Sequence, residues 1–495
     1  MSLGWLVILP ILLPLSGAAL GLLLRKFARL QFSLSLVAML AALAASIGLL
    51  LYTFNESPVV VQIGQWPAPA GITLVGDLLS AFMVVMSQTV LSTGLLYAVA
   101  CRDKCVHYPA FYPLFLILAA GLTGSFLTGD LFNLFVFAEL MVISGALLTA
   151  SADDRFGVEA AYKYFYISLL ASVFLLLACG ALYASYGTLN IADLARRIQA
   201  SPHLPMTQIS MALLLAFFMV KSAVVPFHFW QPDFHAAAPT AVSAMLSSVI
   251  VKLGIYGFLR MTSLLFLEQA GLIRSTLIVL GCVGVLLGGF SAIGANHLKR
   301  MLAYSTIGQI GFILVGIGWG TPLSLAAALV FAFNHSLIKS AMLMLAGAMA
   351  SRATVKSAAF NVLEGIGKAS PLAGGLFLVG GIALAGVPPT NGFISKLVLF
   401  KSGLEVQAFA ALAVIGAASV LSLIYVLRAF MRIWWEMPPS GVKTKPDGDR
   451  LIAPALLVSG CVVFGLWSEP LISLSMRIVN WMGEPGRYIQ AVFGG

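Results

Sequence analysis

Charge is what this chain lacks. Only 9% of its 495 residues are Asp, Glu, Lys or Arg, where a soluble globular domain carries roughly a quarter. A soluble enzyme of two or three domains is thereby excluded. Cysteine is scarce too. The five residues Cys101, Cys105, Cys179, Cys282 and Cys461 make neither a disulfide framework nor the ligand set of a structural zinc, and they read as small apolar fillers. A four-cysteine cluster, paired haem histidines and a dinucleotide glycine fingerprint are all missing, so the sequence implies no cofactor and no resident metal. What is abundant is hydrophobic: 60% of residues, at a mean hydropathy of +1.00. A helix needs ~20 apolar residues to cross a bilayer, so an all-α polytopic membrane protein is expected.

Fourteen apolar runs can be marked, at about 3–24, 31–54, 73–100, 109–128, 131–151, 158–185, 207–229, 238–261, 271–294, 300–319, 322–350, 370–402, 405–435 and 451–481. The first has no positive stretch before it and no small-residue cleavage site after it, so it reads as a retained span. The connectors leave no room for a soluble domain, and the longest, 186–206 and 437–450, read as loops. With the N-terminus outside, sixteen Lys and Arg fall on the cytoplasmic side, among them Arg25, Lys299, Lys443 and Arg450. Seven fall on the other side, among them Arg196, Arg260 and Arg487. The positive-inside rule then predicts both termini outside, and topology accounts for the net charge of +10 without a nucleic-acid partner.

Five lysines remain, Lys163, Lys221, Lys252, Lys339 and Lys396, and all lie within apolar runs, as does Glu139. A charge at mid-bilayer costs ~2.5–3.5 kcal/mol on the mildest scale and usually faces a protein interior or a wet cavity. Helical rise puts Glu139 roughly 13 Å past Asp130 and Lys252 roughly 20 Å past Pro239, both near the centre of the membrane. Lys163, four residues after Glu159, could equally snorkel, pair with that glutamate or join the buried set. His335 and Lys339 are spaced i,i+4 and share a helix face. Desolvation favours the neutral amine and the neutral acid, and an opposite charge nearby restores the ionised forms. A row of such groups, bridged by His335 and water, can store and pass protons.

Two of the lysine-bearing runs are interrupted. Lys221 precedes Pro226, and Lys396 follows Pro388 and Pro389. Proline removes a backbone donor and clashes with the preceding turn, so each helix should break there. Such breaks are tolerated at membrane depth only where protein or water surrounds them. They fall in the seventh and twelfth runs, and the odd offset of five predicts a second unit inverted relative to the first. The stretch His228–His235, with Trp230 and Asp233, suits a structural connector better than a metal site.

The segments PFHFWQPDFHAAAPTAVSAMLSSVIVKLGIYGFLR, HLKRMLAYSTIGQIGF, FNHSLIKSAMLM and GVPPTNGFISKL resemble the shared core of the antiporter-like membrane subunits. These are the proton-translocating subunits of respiratory complex I and their relatives in Mrp-type sodium/proton antiporters. Chain length and the lysine of the twelfth run make it most similar to the D-type subunit of the Mrp complex. The resemblance implies fourteen helices: three in residues 1–108, a five-helix unit in 109–262, its inverted counterpart in 263–437, and a loop with the last helix in 438–495. Helices seven and twelve would be discontinuous. It also implies roles: Glu139 with its partner Lys221, the transfer lysine Lys252, the central His335 and Lys339, and the exit lysine Lys396. M-type complex I subunits usually carry glutamate at that last position. Several relatives have histidine where this chain has Gln309, which can orient water but not take up a proton. His228 stands in the same connector motif and joins Lys163 and Gln309 as a secondary candidate. The implied partners are other subunits of an antiporter complex, membrane lipid, protons and Na+, in the cell membrane. A complex I or membrane-hydrogenase subunit is the alternative. Asp77 and Asp130 read as helix ends before cation or interface residues.

Overall fold

The computed structural model describes residues 3–55, 57–152, 154–438, 445 and 447–494. Lys443 and most of the loop around it lie outside these residues. The chain is all-α and polytopic. Its first part comprises α1 (Trp5–Leu23), α2 (Ala28–Asn55), α3 (Leu78–Ala100), α4 (Phe111–Leu127), α5 (Leu131–Ala150), α6 (Arg155–Tyr186), α7 (Ile191–Ala200), α8 (Pro205–Lys221), α9 (Trp230–Ala237) and α10 (Thr240–Leu265). Then follow α11 (Ala270–Gly294), α12 (Leu298–Trp319), α13 (Pro322–Arg352), α14 (Pro371–Ala385), α15 (Asn391–Glu405), α16 (Phe409–Trp435), α17 (Ile452–Leu466), α18 (Glu469–Met482) and α19 (Pro485–Phe493).

Each of the fourteen expected runs contains helix, but length and apolarity qualify ten as crossings among the described residues, or eleven with α17 and α18 as one span. That last pair bends by 79°, where a single span was expected. The helices α4, α8 and α14 are apolar but shorter. Two other expectations fail locally. The run beginning at 73 opens as a strand, Thr73–Gly76, paired antiparallel with Val59–Gln62 in a hairpin. The 186–206 connector holds α7, whose buried Ile191, Leu194, Ala195 and Ile198 follow helical spacing. Asn190 caps it by accepting from the backbone N–H groups of Ala192 and Asp193. Ten residues with a polar face are too few to register as a membrane run, which is why the helix reads as loop.

Burial sorts the helices into an inner and an outer set. The most apolar stretch of α10 is wholly buried, and those of α12 and α13 are 94% buried, against 33% for α2 and α16. The outer helices turn residues such as Val37, Leu51 and Val420 outwards, as a lipid-facing surface requires. The inner three carry Lys252, Gln309, His335 and Lys339. The costly side chains therefore sit where protein surrounds them.

Ion pairs staple both ends of the bundle, one of them buried. At the end carrying the hairpin, Asp77 caps α3 by accepting from the Ser80 N–H at 2.8 Å, and its other oxygen meets Arg260 Nη2 at 2.5 Å. Arg260, counted among the seven basic residues away from the cytoplasmic side, has a side chain only 7% exposed, paired with the carboxylate at the start of α3. Asp130 caps α5 through the Asn133 N–H, so both aspartates mark helix ends. At the opposite end Asp103 accepts from the Thr240 N–H at 2.8 Å and pairs with Lys356, while Lys299 donates to Ala238 O at 3.1 Å. Burial pushes the Asp103 carboxyl up, but Lys299 and Lys356 outweigh it and hold it below the usual carboxylate range. Beside it, Asp449 accepts from Tyr97 Oη at 2.5 Å and from the Arg102 N–H at 2.9 Å.

Candidate proton-relay site

Both expected helix breaks are present. In the first, α8 ends at Lys221 and the chain turns through 222–229 before α9. Trp230 Nε1 donates back at 3.3 Å to Val220 O, a carbonyl in the last turn of α8 that also accepts from the Ala223 N–H at 3.1 Å. Ser222 Oγ donates to Val251 O at 2.9 Å and so ties this break to the residue before Lys252. The approach is close because residue 254 is glycine: a Cβ there would lie 1.9 Å from Ser222 Oγ. In the second break, α14 ends at Ala385 and Gly386 takes φ +83°, a left-handed conformation that glycine adopts without strain. Lys396, on α15, donates to Ala385 O at 2.6 Å, so the lysine itself satisfies the freed carbonyl.

This second break is tied to α13 as the first is to α10. Asn334 Nδ2 donates to Asn391 O at 3.1 Å and to Ser395 Oγ at 2.9 Å, linking the residue before His335 to the residue before Lys396. Neither Ser222 nor Asn334 is singled out by sequence. Each adjoins a candidate residue, and that adjacency is the only signal they offer.

At the centre, Lys252 Nζ and His335 Nδ1 are 2.5 Å apart, in side chains that are 0% and 1% exposed. His335 Nε2 is buried without a protein partner. One turn along α13, Lys339 Nζ donates to Leu302 O and Ser305 Oγ, both at 2.9 Å, and Ser305 meets Tyr425 Oη at 2.8 Å. A cavity of about 10 Å³, room for about one water molecule, touches Gln309, His335, Ser395 and Lys396. Gln309 Nε2 donates to Leu384 O, again at the second break.

The other candidates are less connected. Lys221 Nζ is buried with no hydrogen-bond partner and stands 5.6 Å from the Phe217 ring centroid. Glu139 is half-buried and accepts from Ser172 Oγ, and no ion pair joins it to Lys221 among the described residues. Lys163 lies apart from the buried set, in a half-exposed pair with Glu159 at 2.7 Å and Asp233 at 3.3 Å. His228 is half-buried with Nδ1 unpartnered. His235, in the same connector, is completely buried with neither ring nitrogen partnered. No group of three His, Cys, Asp or Glu residues that could hold a metal occurs among the described residues. Asp233 instead joins the connector to α6 and α12 through Lys163 and Arg300, the latter at 2.6 Å.

Residues 128–422, which hold both breaks and every one of these buried lysines, match the transmembrane family described as NADH:quinone oxidoreductase/Mrp antiporter. This chain belongs to that family. It is 30% identical over 489 residues to the D-type subunit of the Na(+)/H(+) antiporter of Alkalihalophilus pseudofirmus, covering 98% of this chain and 99% of that one. It is 34% identical over 489 residues to the N-type subunit of the NADH-quinone oxidoreductase of Desulforudis audaxviator, covering 94% and 97%. Its fold matches a chain in the structure of the Mrp complex from Dietzia sp. DQ12-45-1b with a TM-score of 0.91 at 27% identity, over the whole of both chains.

Proposed function

We propose that this chain is the proton-translocating subunit of a multisubunit Na+/H+ antiporter of the cell membrane, a transporter component without a redox centre of its own. In this reading both termini lie outside, and two inverted five-helix units, residues 109–262 and 263–437, each hold one broken helix. The observation that carries it is the 2.5 Å contact between Lys252 and His335, which joins the two units at their most buried helices.

The residues suggest how a proton travels. When Lys252 is an ammonium, Nδ1 of His335 must be the acceptor, and the ring hydrogen then sits on Nε2. Uptake at one ring nitrogen and release from the other passes a proton across the ring. Nε2 lacks a protein partner, and the cavity that touches both His335 and Lys396 has room for a bridging water. Lys339, one turn along α13, supplies a second charge whose protonation repels one on Lys252 or His335. The path runs from Glu139 and Lys221 through Lys252, His335 and Lys339 to Lys396, with sodium movement coupled through neighbouring subunits.

A partner is called for at Glu139. The carboxylate is half-buried at mid-membrane, on a face of α5 where Val136, Ile143 and Leu147 point outwards. A carboxylate half-open to acyl chains is costly, and a neighbouring subunit against this face removes the cost. The test is Na+-driven proton movement in inverted vesicles containing the whole complex. Glu139→Ala and Lys221→Ala should abolish it while the subunits still co-purify; full antiport in those variants would refute the assignment. The similarity to an N-type subunit of an NADH-quinone oxidoreductase favours a second reading, a pumping subunit of a complex I-type assembly. Identification of the co-purifying subunits decides between the two.

A further inference from the structure

A second polar column leaves Lys252. Lys252, Tyr256 and Arg260 are spaced i, i+4, i+8 on a regular stretch of α10, so they share one face and span roughly 12 Å. The column climbs from mid-membrane to the hairpin end of the bundle. Tyr256 Oη donates to Phe126 O at 3.0 Å, and the Arg260 guanidinium lies 5.0 Å from the Tyr256 ring centroid and 5.1 Å from that of Tyr488. Its Nη2 pairs with Asp77 at 2.5 Å, and its Nε is buried without a partner. Beyond the guanidinium is a cavity of about 10 Å³ bounded by Arg260, Ser263, Trp481, Glu484 and Tyr488. Glu484 is exposed there. Arg260 thus lies on this face between Tyr256 and the cavity beside exposed Glu484.

We propose that Arg260 is a fixed-charge stopper that bars protons and cations from moving between Lys252 and the hairpin end, so that a proton on Lys252 can leave only sideways, towards His335. The proposal rests on the reading of Lys252 as a proton carrier. Arginine suits the task because a guanidinium does not release its proton in a protein. A positive charge in a narrow low-dielectric passage also repels hydronium and Na+. Asp77 and the two tyrosine faces let that charge stay buried. Asp77 offers no detour, because its other oxygen is occupied by the Ser80 N–H and hydroxyl. A simple staple between α10 and α3 would account for the ion pair, but not for a column that continues below it to Lys252 and above it to a cavity.

The experiment is passive proton flux into proteoliposomes holding the intact complex, under an imposed pH gradient and without Na+. Arg260→Gln alone would strand Asp77, so the test variant is D77N/R260Q, with R260K keeping the charge. D77N/R260Q should collapse the gradient at least about tenfold faster than wild type, as removal of a field of several kT predicts. R260K, which keeps a charge beside Asp77 but on a group able to release its proton, should leak less than D77N/R260Q, and adding Lys252→Met to the double variant should close the leak. A tight D77N/R260Q complex overturns the stopper, and so does a leak that persists without Lys252. If D77N/R260Q does not assemble, Ser263→Cys and Tyr256→Cys are treated with a membrane-impermeant thiol reagent while Arg260 is intact. Labelling at 263 but not at 256 supports the stopper, and labelling at 256 overturns it. Lys252→Met alone separates the two ideas: full Na+/H+ exchange in that variant removes the carrier reading, whereas lost exchange beside a tight D77N/R260Q removes only the stopper.

Discussion

Lys252 and His335 meet 2.5 Å apart with both side chains buried, although 83 residues separate them in sequence. A histidine placed so has one ring nitrogen committed to the amine and the other free.

In the proposed path His335→Ala removes the shuttle, and it leaves Lys252 without its ring partner. Antiport by the assembled complex should fall by about 10²-fold or more, the usual worth of a positioned proton-transfer group. His335→Gln, which keeps a hydrogen-bonding side chain but cannot titrate, should fall as far. Sodium-induced fluorescence recovery of a pH dye in inverted vesicles provides the measurement, and near-normal exchange in His335→Gln would show that the ring carries no proton.

Lys396 has two duties that substitution can separate. Its ammonium satisfies the carbonyl that the broken helix exposes at Ala385, and in the proposed path it must also give up a proton. Lys396→Arg keeps the charge and the donors but cannot deprotonate. That variant should assemble like wild type and still lose exchange, whereas Lys396→Ala should lose exchange and some thermal stability.

Gly254→Ala tests how tightly α8 is pressed on α10. The added methyl would sit 1.9 Å from Ser222 Oγ and 2.4 Å from Phe218 O, and one of those contacts is backbone. Overpacking of this kind typically costs about 1–3 kcal/mol. The midpoint of thermal unfolding in detergent should fall, and exchange with it, because the displaced segment carries Lys221.

His297 caps α12 by accepting from the Arg300 N–H at 3.4 Å. Burial, helped by Lys299 and Arg300, holds its pKa down at about 4 against an ordinary 6.5. The folded pKa is the lower one, so the unfolded chain binds more protons between these values. Stability should be full above pH 6.5 and decline as the pH falls towards 4. His297→Asn, a non-titrating cap, should flatten that decline in thermal-unfolding midpoints collected across the range.

Much of this arrangement is legible in the sequence because charge is so expensive in hydrocarbon. Lys221, Lys252, Lys339 and Lys396 stand out in apolar runs for that reason, and the prolines mark both breaks beside two of them. Lys163 is legible only as an ambiguity, which Asp233 resolves in favour of a surface pair. The burial of Arg260 is not legible, because its partner Asp77 is a helix cap 183 positions earlier in the chain. His235, Ser222 and Asn334 are polar enough to need partners and common enough to escape notice. The short amphipathic α7 is hidden by its own polar face.

The ties from Ser222 to Val251 and from Asn334 to Asn391 and Ser395 join each interruption to a strut bearing one half of the central contact. Tilting either fractured rod therefore drags Lys252 or His335 along with it. At 2.5 Å a shift of about an ångström carries the pair beyond hydrogen-bond reach, so in the proposed path the contact would work as an electrical switch with its two blades on separate levers.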